Sequence, residues 1–130
     1  MKTFDMKTTA HSQFVNITDE VKKAVKALGV TDGVVTVFTP HTTCGLTINE
    51  NEDPNVVADL LNRLNAWAPW KNDAYLHEGG NTAAHVKTAL TGSSFQVIVV
   101  SGIVQLGMWQ GLFLCEFDGP RIRHVWVQNG

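Results

Sequence analysis

The sequence predicts an α+β fold: a mostly antiparallel sheet with about three helices packed on one side, in a single domain spanning residues 1–130. Three observations predict it. Three segments show helical spacing, and they do not alternate regularly with the apolar β-branched runs as a parallel α/β fold requires. From residue 94 onward, strand-like runs follow one another across tight turns, the pattern of an antiparallel meander. A chain of 130 residues holds one hydrophobic core, and it is far short of the roughly 250 residues of a (β/α)8 barrel.

Each element has its own signal. Residues 2–9, KTFDMKTT, alternate weakly and open the sheet. Asn16, Thr18 and Asp19 are cap-type residues ahead of EVKKAVKALG, where Val21, Ala24, Val25 and Leu28 recur at helical spacing and Gly29 ends the helix. GVVTVFTP (33–40) is a buried strand closed by Pro40, and CGLTI (44–48) is a second extended piece. Asp53-Pro54 is a helix entry, a cap followed by proline in the first turn. Val57, Leu60, Leu61 and Leu64 form the buried stripe of that helix, and WAPW (67–70) ends it. KNDAYLHEGG (71–80) is a loop. Asn81 or Thr82 caps the third helix, TAAHVKTAL, with Ala83, Val86 and Leu90 as its apolar face and Gly92 as its end. SFQVIVV (94–100), a turn at Ser101-Gly102, WQGLFLCEF (109–117), a turn at Asp118-Gly119-Pro120 and RIRHVWVQ (121–128) complete the order.

Composition narrows the function. Net charge is −2 and charged residues make up 17%, which argues against a nucleic-acid partner, since that needs a basic surface. The low charge leaves apolar surface that a subunit contact would cover. MKTFDMKTTAHSQF lacks the continuous apolar core of a signal peptide, and apolar runs such as VIVV (97–100) are too short for a membrane span. The expectation is a cytoplasmic protein with no membrane partner. Cys44 and Cys115 are then free thiols.

Four features carry chemistry. His41 follows a strand, while His77 and His85 flank the start of the third helix; three neutral imidazoles suit a divalent ion such as zinc if they converge. Their spacing matches no standard zinc motif. GGNT (79–82) opens that helix, where backbone N–H groups and the helix dipole attract an anion; Thr42, Thr43, Arg121 or Arg123 would add to a phosphate site. Glu50, between two asparagines, is the candidate general base or metal partner, with Asp53 left as a cap. In GMWQG (107–111), Trp109 offers a plate for a flat ligand and Gln110 a hydrogen bond. No Walker or GxGxxG sequence is present, so no nucleotide cofactor is indicated. His11 and His124 read as surface or sheet-edge groups. Cys44 and His41, three apart on an extended segment, face opposite ways, and Cys115 within LFLCEF is buried and inert.

HTTCGLTINENEDP (41–54), HEGGNTAAHVKTALTG (77–92) and GMWQGLFLCEFDGPR (107–121) together resemble the YjbQ-like family of secondary thiamine-phosphate synthases, over about residues 5 to 127. The resemblance implies a compact α+β protein that assembles as a homotrimer with a pocket near the subunit contacts. The family's motif positions fall on His41, Thr42, Asn49, Glu50, Asn51, His77, Asn81, His85, Trp109, Gln110 and Glu116. On this basis His41, Glu50, His85 and Gln110 are the expected catalytic residues. Thr42, Asn49, Asn51, Asn81 and Trp109 would bind substrate or anion, and His41, His77 and His85 a divalent metal, zinc or magnesium. Met108 departs from the family's usual threonine, and the loop at 71–80 is of variable type.

The implied activity joins a pyrimidine methyl diphosphate to a thiazole phosphate, so the expected ligand is a small phosphorylated molecule. Two other readings stay open: a metal-dependent hydrolase of a small phosphorylated compound, and a non-catalytic module binding a metabolite or anion.

Overall fold

Two antiparallel sheets, rather than one, organise the chain. The computed structural model describes residues 1–130. In chain order the elements are β1 (Lys2–Lys7), β2 (Gln13–Asn16), α1 (Thr18–Leu28), β3 (Gly33–Phe38), β4 (Cys44–Glu50), α2 (Pro54–Trp67), α3 (Thr82–Thr91), β5 (Ser94–Val100), β6 (Ile103–Gln105), β7 (Gln110–Glu116) and β8 (Ile122–Asn129). One sheet runs β1-β8-β3-β5-β6, the other β2-β7-β4. The class is α+β, as the sequence predicts.

The meander expected after residue 94 does not form. β5 and β6 pair as a hairpin, but β7 leaves to become the central strand between β2 and β4. β8 then returns to lie between β1 and β3. Side-chain patterning explains the split. Residues 111–117 of β7 and its end are buried without alternation, and a strand apolar on both faces needs cover on both. β8 alternates exposed and buried residues, which suits a sheet with one solvated face. β2 and β6, of four and three residues, are too short to announce themselves by period.

The main core lies between the sheets. Val35, Val37, Val97, Val99, Val125 and Val127 from the first meet Leu46, Leu112 and Leu114 from the second, and Ile17, just before α1, with Val21, Ala24 and Val25 of α1 complete it. Asn16 Oδ1 accepts the Thr18 N–H at 2.9 Å, and Thr18 Oγ1 accepts the Leu112 N–H at 3.0 Å, so the predicted cap residues also tie α1 to β7. A smaller cluster, Ala84, Cys115 and Phe117 with Phe14, Leu61, Leu64 and Trp70, covers the other face of the three-stranded sheet.

α2 and α3 provide that cover unequally. Asp53 Oδ1 caps α2 through the Asn55 N–H at 2.9 Å, as the sequence predicts, but no α2 residue is fully buried; its leucine stripe is only half covered. The buried residues of α3 are Ala83, Ala84, Lys87 and Thr88; of the predicted face only Ala83 is among them, and Leu90 is 60% exposed. Small residues let α3 lie close. A Cβ on Gly45 of β4 would stand 2.7 Å from the Gly92 carbonyl oxygen.

The outward face of the five-stranded sheet is bare. Val34 stands opposite Ile98 and Val100 opposite Ile103, Phe38 stacks obliquely on Trp126 at 5.6 Å between centroids, and all are exposed together with Ile122. No helix is long and apolar enough to cross a membrane.

Candidate functional site

The predicted site residues fall at the two ends of the β4–β7 ladder. Cys44 pairs with Glu116 at one end and Glu50 with Gln110 at the other. Six residue steps along β4 separate these ends by about 20 Å at ~3.3 Å per residue. His41 and Thr42 precede the first end. Asn81 belongs to it too, because its Nδ2 donates to Asp118 Oδ2 at 3.0 Å just beyond β7. Asn49, Glu50, Asn51, Trp109 and Gln110 form the second.

At the Glu50 end, backbone and amide bonds hold the residues together. The Asn51 N–H donates to the Trp109 carbonyl at 2.7 Å, and Asn51 Oδ1 accepts from Asn16 Nδ2 at 2.7 Å. Gln110 Oε1 accepts the Gly107 N–H at 2.8 Å, and Asn49 Oδ1 accepts the Glu50 N–H at 2.8 Å. Gly111 is needed here, since a Cβ on it would lie 2.6 Å from the Asn51 Cβ. Asn16, Asn51, Met108 and Gln110 help wall the largest cavity, about 650 Å³. Glu50 lines a second one of about 240 Å³ with Phe14, Val57, Phe113 and Asn51, which borders both. Trp109 is half exposed and walls neither.

At the histidine end the three imidazoles do not converge within one chain. His77 and His85 meet edge to face with centroids 5.4 Å apart. His41 stacks instead on His124 at 5.5 Å, and its Nε2 accepts the His124 backbone N–H at 2.9 Å. No group of three or more histidine, cysteine, aspartate or glutamate side chains is placed to hold a metal ion. The reason lies in the chain path. The β3–β4 connection places His41 against β8, whereas the 71–80 loop folds His77 back over α3.

Beneath His41 sits a buried ion pair. Arg123 donates to both carboxylate oxygens of Glu116 and, through Nη2, to Thr43 Oγ1 at 2.9 Å. Glu116 Oε1 also accepts from Thr8 Oγ1 at 2.7 Å, and Oε2 from the Asp118 N–H at 3.1 Å. Burial pushes the Glu116 carboxyl up, but these hydrogen bonds outweigh it and hold the group below its ordinary value. Burial and then the Arg123 charge push the His41 imidazole down, so it is the neutral acceptor its geometry requires. Burial raises the Cys44 thiol to about 12 and the Cys115 thiol well above its usual range, which removes both as nucleophiles.

The His77–His85 pair has the better-formed binding geometry. With Thr82 it lines a cavity of about 310 Å³ at the N-terminus of α3. Asn81 makes no side-chain cap bond, so the first N–H groups of the helix keep their unpaired donors. Asn81 Oδ1 and Thr82 Oγ1 are buried with no partner, which costs free energy unless something else satisfies them. His77 Nε2 and Asn81 Oδ1 both lie against Gly79, at 2.6 and 3.3 Å from where its Cβ would be.

Comparison with known proteins settles the relationship. The family model described as UPF0047 protein YjbQ-like matches residues 2–129. The chain belongs to the YjbQ-like family. It is 44% identical over 128 residues to the UPF0047 protein YugU of Bacillus subtilis, covering 98% of this chain and 97% of that one. It is 42% identical to a UPF0047 protein of Methanocaldococcus jannaschii, covering 96% and 90%. A crystal structure of a YjbQ/UPF0047 family protein from Clostridium acetobutylicum superposes with a TM-score of 0.96 at 48% identity, each chain covered completely. The crystal structure of a conserved hypothetical protein from Thermus thermophilus superposes with a TM-score of 0.93 at 45% identity, again with full coverage.

For this YjbQ-like chain, sequence reasoning misses two neighbours of the candidate site, Asp118 and Asp5, and leaves a third, Glu116, without a role. Asp118 reads from sequence only as a turn residue, yet it accepts from Asn81 and, at 3.1 Å, from Arg121 Nη2. Asp5 pairs across β1 and β8 with His124, 2.6 Å from its Nδ1, a partnership 119 residues apart that no local signal reveals. Glu116, a motif position to which the sequence assigns no role, is the fully buried partner of Arg123. The alternation of RIRHVWVQ does place Arg123 on the inward face, so that pairing had a sequence signal.

Proposed function

We propose that this protein is a small-molecule enzyme whose phosphorylated substrate binds at the N-terminus of α3, between His77 and His85, with thiamine-phosphate-synthase-like activity. The observation that supports it is the coincidence of the histidine pair with the unpartnered Thr82 hydroxyl and Asn81 carbonyl at a helix start. Helix N–H groups, the dipole and a hydroxyl suit phosphate oxygens. In the proposed reaction the thiazole nitrogen bonds to the pyrimidine methyl carbon while the carbon–oxygen bond to diphosphate breaks, and diphosphate leaves with the electron pair. The α3 N-terminus and Thr82 would bind the departing oxygens, and an imidazole N–H of His77 or His85 would donate a hydrogen bond to them.

A divalent ion fits this site only in part. His77 and His85 supply two imidazoles, whereas a resident zinc takes three or four protein ligands. They suit an ion that also takes phosphate oxygens from the substrate; it would supply charge neutralisation for the leaving group. The same pair favours a second reading, metal-dependent hydrolysis of a small phosphate ester.

The resemblance to the family extends the proposal to a homotrimer with the pocket near a subunit contact. Two features support that: the bare apolar face of the five-stranded sheet, and the about 20 Å that one chain leaves between its histidine end and its Glu50–Trp109–Gln110 end. A neighbouring copy would bring the second set to the first.

The test is an assay of diphosphate release from the pyrimidine diphosphate with and without the thiazole phosphate, beside generic phosphate ester hydrolysis with added zinc or magnesium. Thiazole-dependent release that His85→Ala removes supports synthesis. Ester hydrolysis dependent on metal and His85 supports the second reading. Tight phosphate binding without turnover would leave a binding module and sink both.

A further inference from the structure

A buried lysine without a counter-charge lies on the opposite side of α3 from the histidine pair. Lys87 is 2% exposed, and its Nζ has one partner, Asn65 Oδ1 at 2.6 Å. No ion pair includes it. An ammonium has three donors, so two are unused, and buried charges are ordinarily paired. Desolvation pushes this amine below its ordinary value, the sign of a charge that lacks compensation.

The lysine does not face packed hydrocarbon. It walls a cavity of about 430 Å³ with His11, Ser12, Asn65, Pro69 and Trp70. The Trp70 and His11 rings stand perpendicular with centroids 4.3 Å apart and make a right-angled corner. The cavity shares no residue with the one at His77, Thr82 and His85. The sequence contains a trace of this. Lys87 is four residues after Ala83, hence on the same helix face, and both are buried.

We infer that this cavity is a second binding site, for a small anion carrying a flat ring, its carboxylate or phosphate on Lys87 Nζ and its ring in the Trp70–His11 corner. The anion would supply the missing counter-charge and accept the two free ammonium donors, and the Ser12 hydroxyl, bonded to His11 Nδ1 at 3.0 Å, helps hold the His11 ring in the corner. An aromatic corner binds a ring of either charge, so the lysine provides selectivity for anions.

The experiment is an NMR titration of the full chain with phenyl phosphate, benzoate and benzyl alcohol, following the Trp70 indole N–H and the Asn65 side-chain amide. It is run in a His85→Ala background so that binding at the other site does not contribute. Both anions should shift these resonances saturably, and benzyl alcohol should bind about tenfold more weakly or worse, the scale of one charge-assisted contact. Lys87→Met should reduce anion affinity about tenfold or more with little change for the alcohol, and Lys87→Arg should restore part of it. If Lys87→Met does not fold, Trp70→Leu is the second variant and should weaken phenyl phosphate relative to inorganic phosphate. No saturable shift at Trp70 and Asn65, or equal affinity of the alcohol and the anions, overturns the inference.

Discussion

His41 Nε2 accepts the backbone N–H of His124 at 2.9 Å while the two imidazoles stack, 5.5 Å between centroids. This one bond decides much about the histidine end. It fixes the His41 tautomer with the proton on Nδ1 and opposes protonation of the ring. It also directs His41 toward β8, away from His77 and His85.

His41 should therefore titrate below 6.5. Burial first, then the Arg123 guanidinium, disfavour its charged form. The unfolded chain binds that proton more readily, so this group's contribution to stability is full above about pH 6.5 and falls as pH drops toward the lower folded value. Histidine NMR titration of wild type and His41→Gln checks this; a His41 midpoint at or above 6.5 would overturn it.

Arg123→Met should cost about 3–5 kcal/mol, because it strands the Glu116 carboxylate in the interior. Replacing both as Glu116→Leu with Arg123→Met should cost much less, since no buried charge remains. The carboxyl is held below its ordinary value, so the pair's contribution is full above about pH 4.5 and is lost as pH falls through the folded value. Urea denaturation of the three proteins at neutral and acidic pH reports all of this.

Gly45→Ala should destabilise by about 1–3 kcal/mol through overpacking. The new methyl meets the Gly92 carbonyl and the Thr91 hydroxyl, and a backbone group cannot rotate away. Gly111→Ala should destabilise by a similar amount, since its Cβ would lie 2.6 Å from the Asn51 Cβ, which side-chain rotation does not move. Denaturant midpoints of the two variants check both.

If the site spans neighbouring copies, light scattering should give three times the 14.3 kDa chain mass. Ile98→Asp, on the bare sheet face, should lower it. Inactive Glu50→Gln and His85→Ala chains, unfolded and refolded together, should recover about a quarter of wild-type turnover, the share of neighbouring pairs in a head-to-tail ring that join an intact histidine end to an intact Glu50 end. A monomer mass, or no recovery on mixing, counts against the shared site.

The sequence by itself determined the elements that carry local signals. Asp53-Pro54 entered α2 as expected, Gly29 ended α1 in the left-handed conformation with φ 68°, and the alternation of β8 survived as its burial pattern. It also marked the candidate residues, because motif blocks at three places pointed to one family. What it left open was which strand meets which, and so which residues share a site. β7 is apolar on both faces, and period alone does not say that such a strand becomes the centre of a second sheet. Once it does, β4 spans the molecule with His41 before one end and Glu50 at the other. Tertiary structure also decided that Lys87 is buried and Leu90 exposed, since helix spacing says which residues share a face but not which face is covered. Long-range pairings such as Asp5 with His124 and Glu116 with Thr8 depend on the path of the whole chain, and that path is set by burial of both sheets around one core.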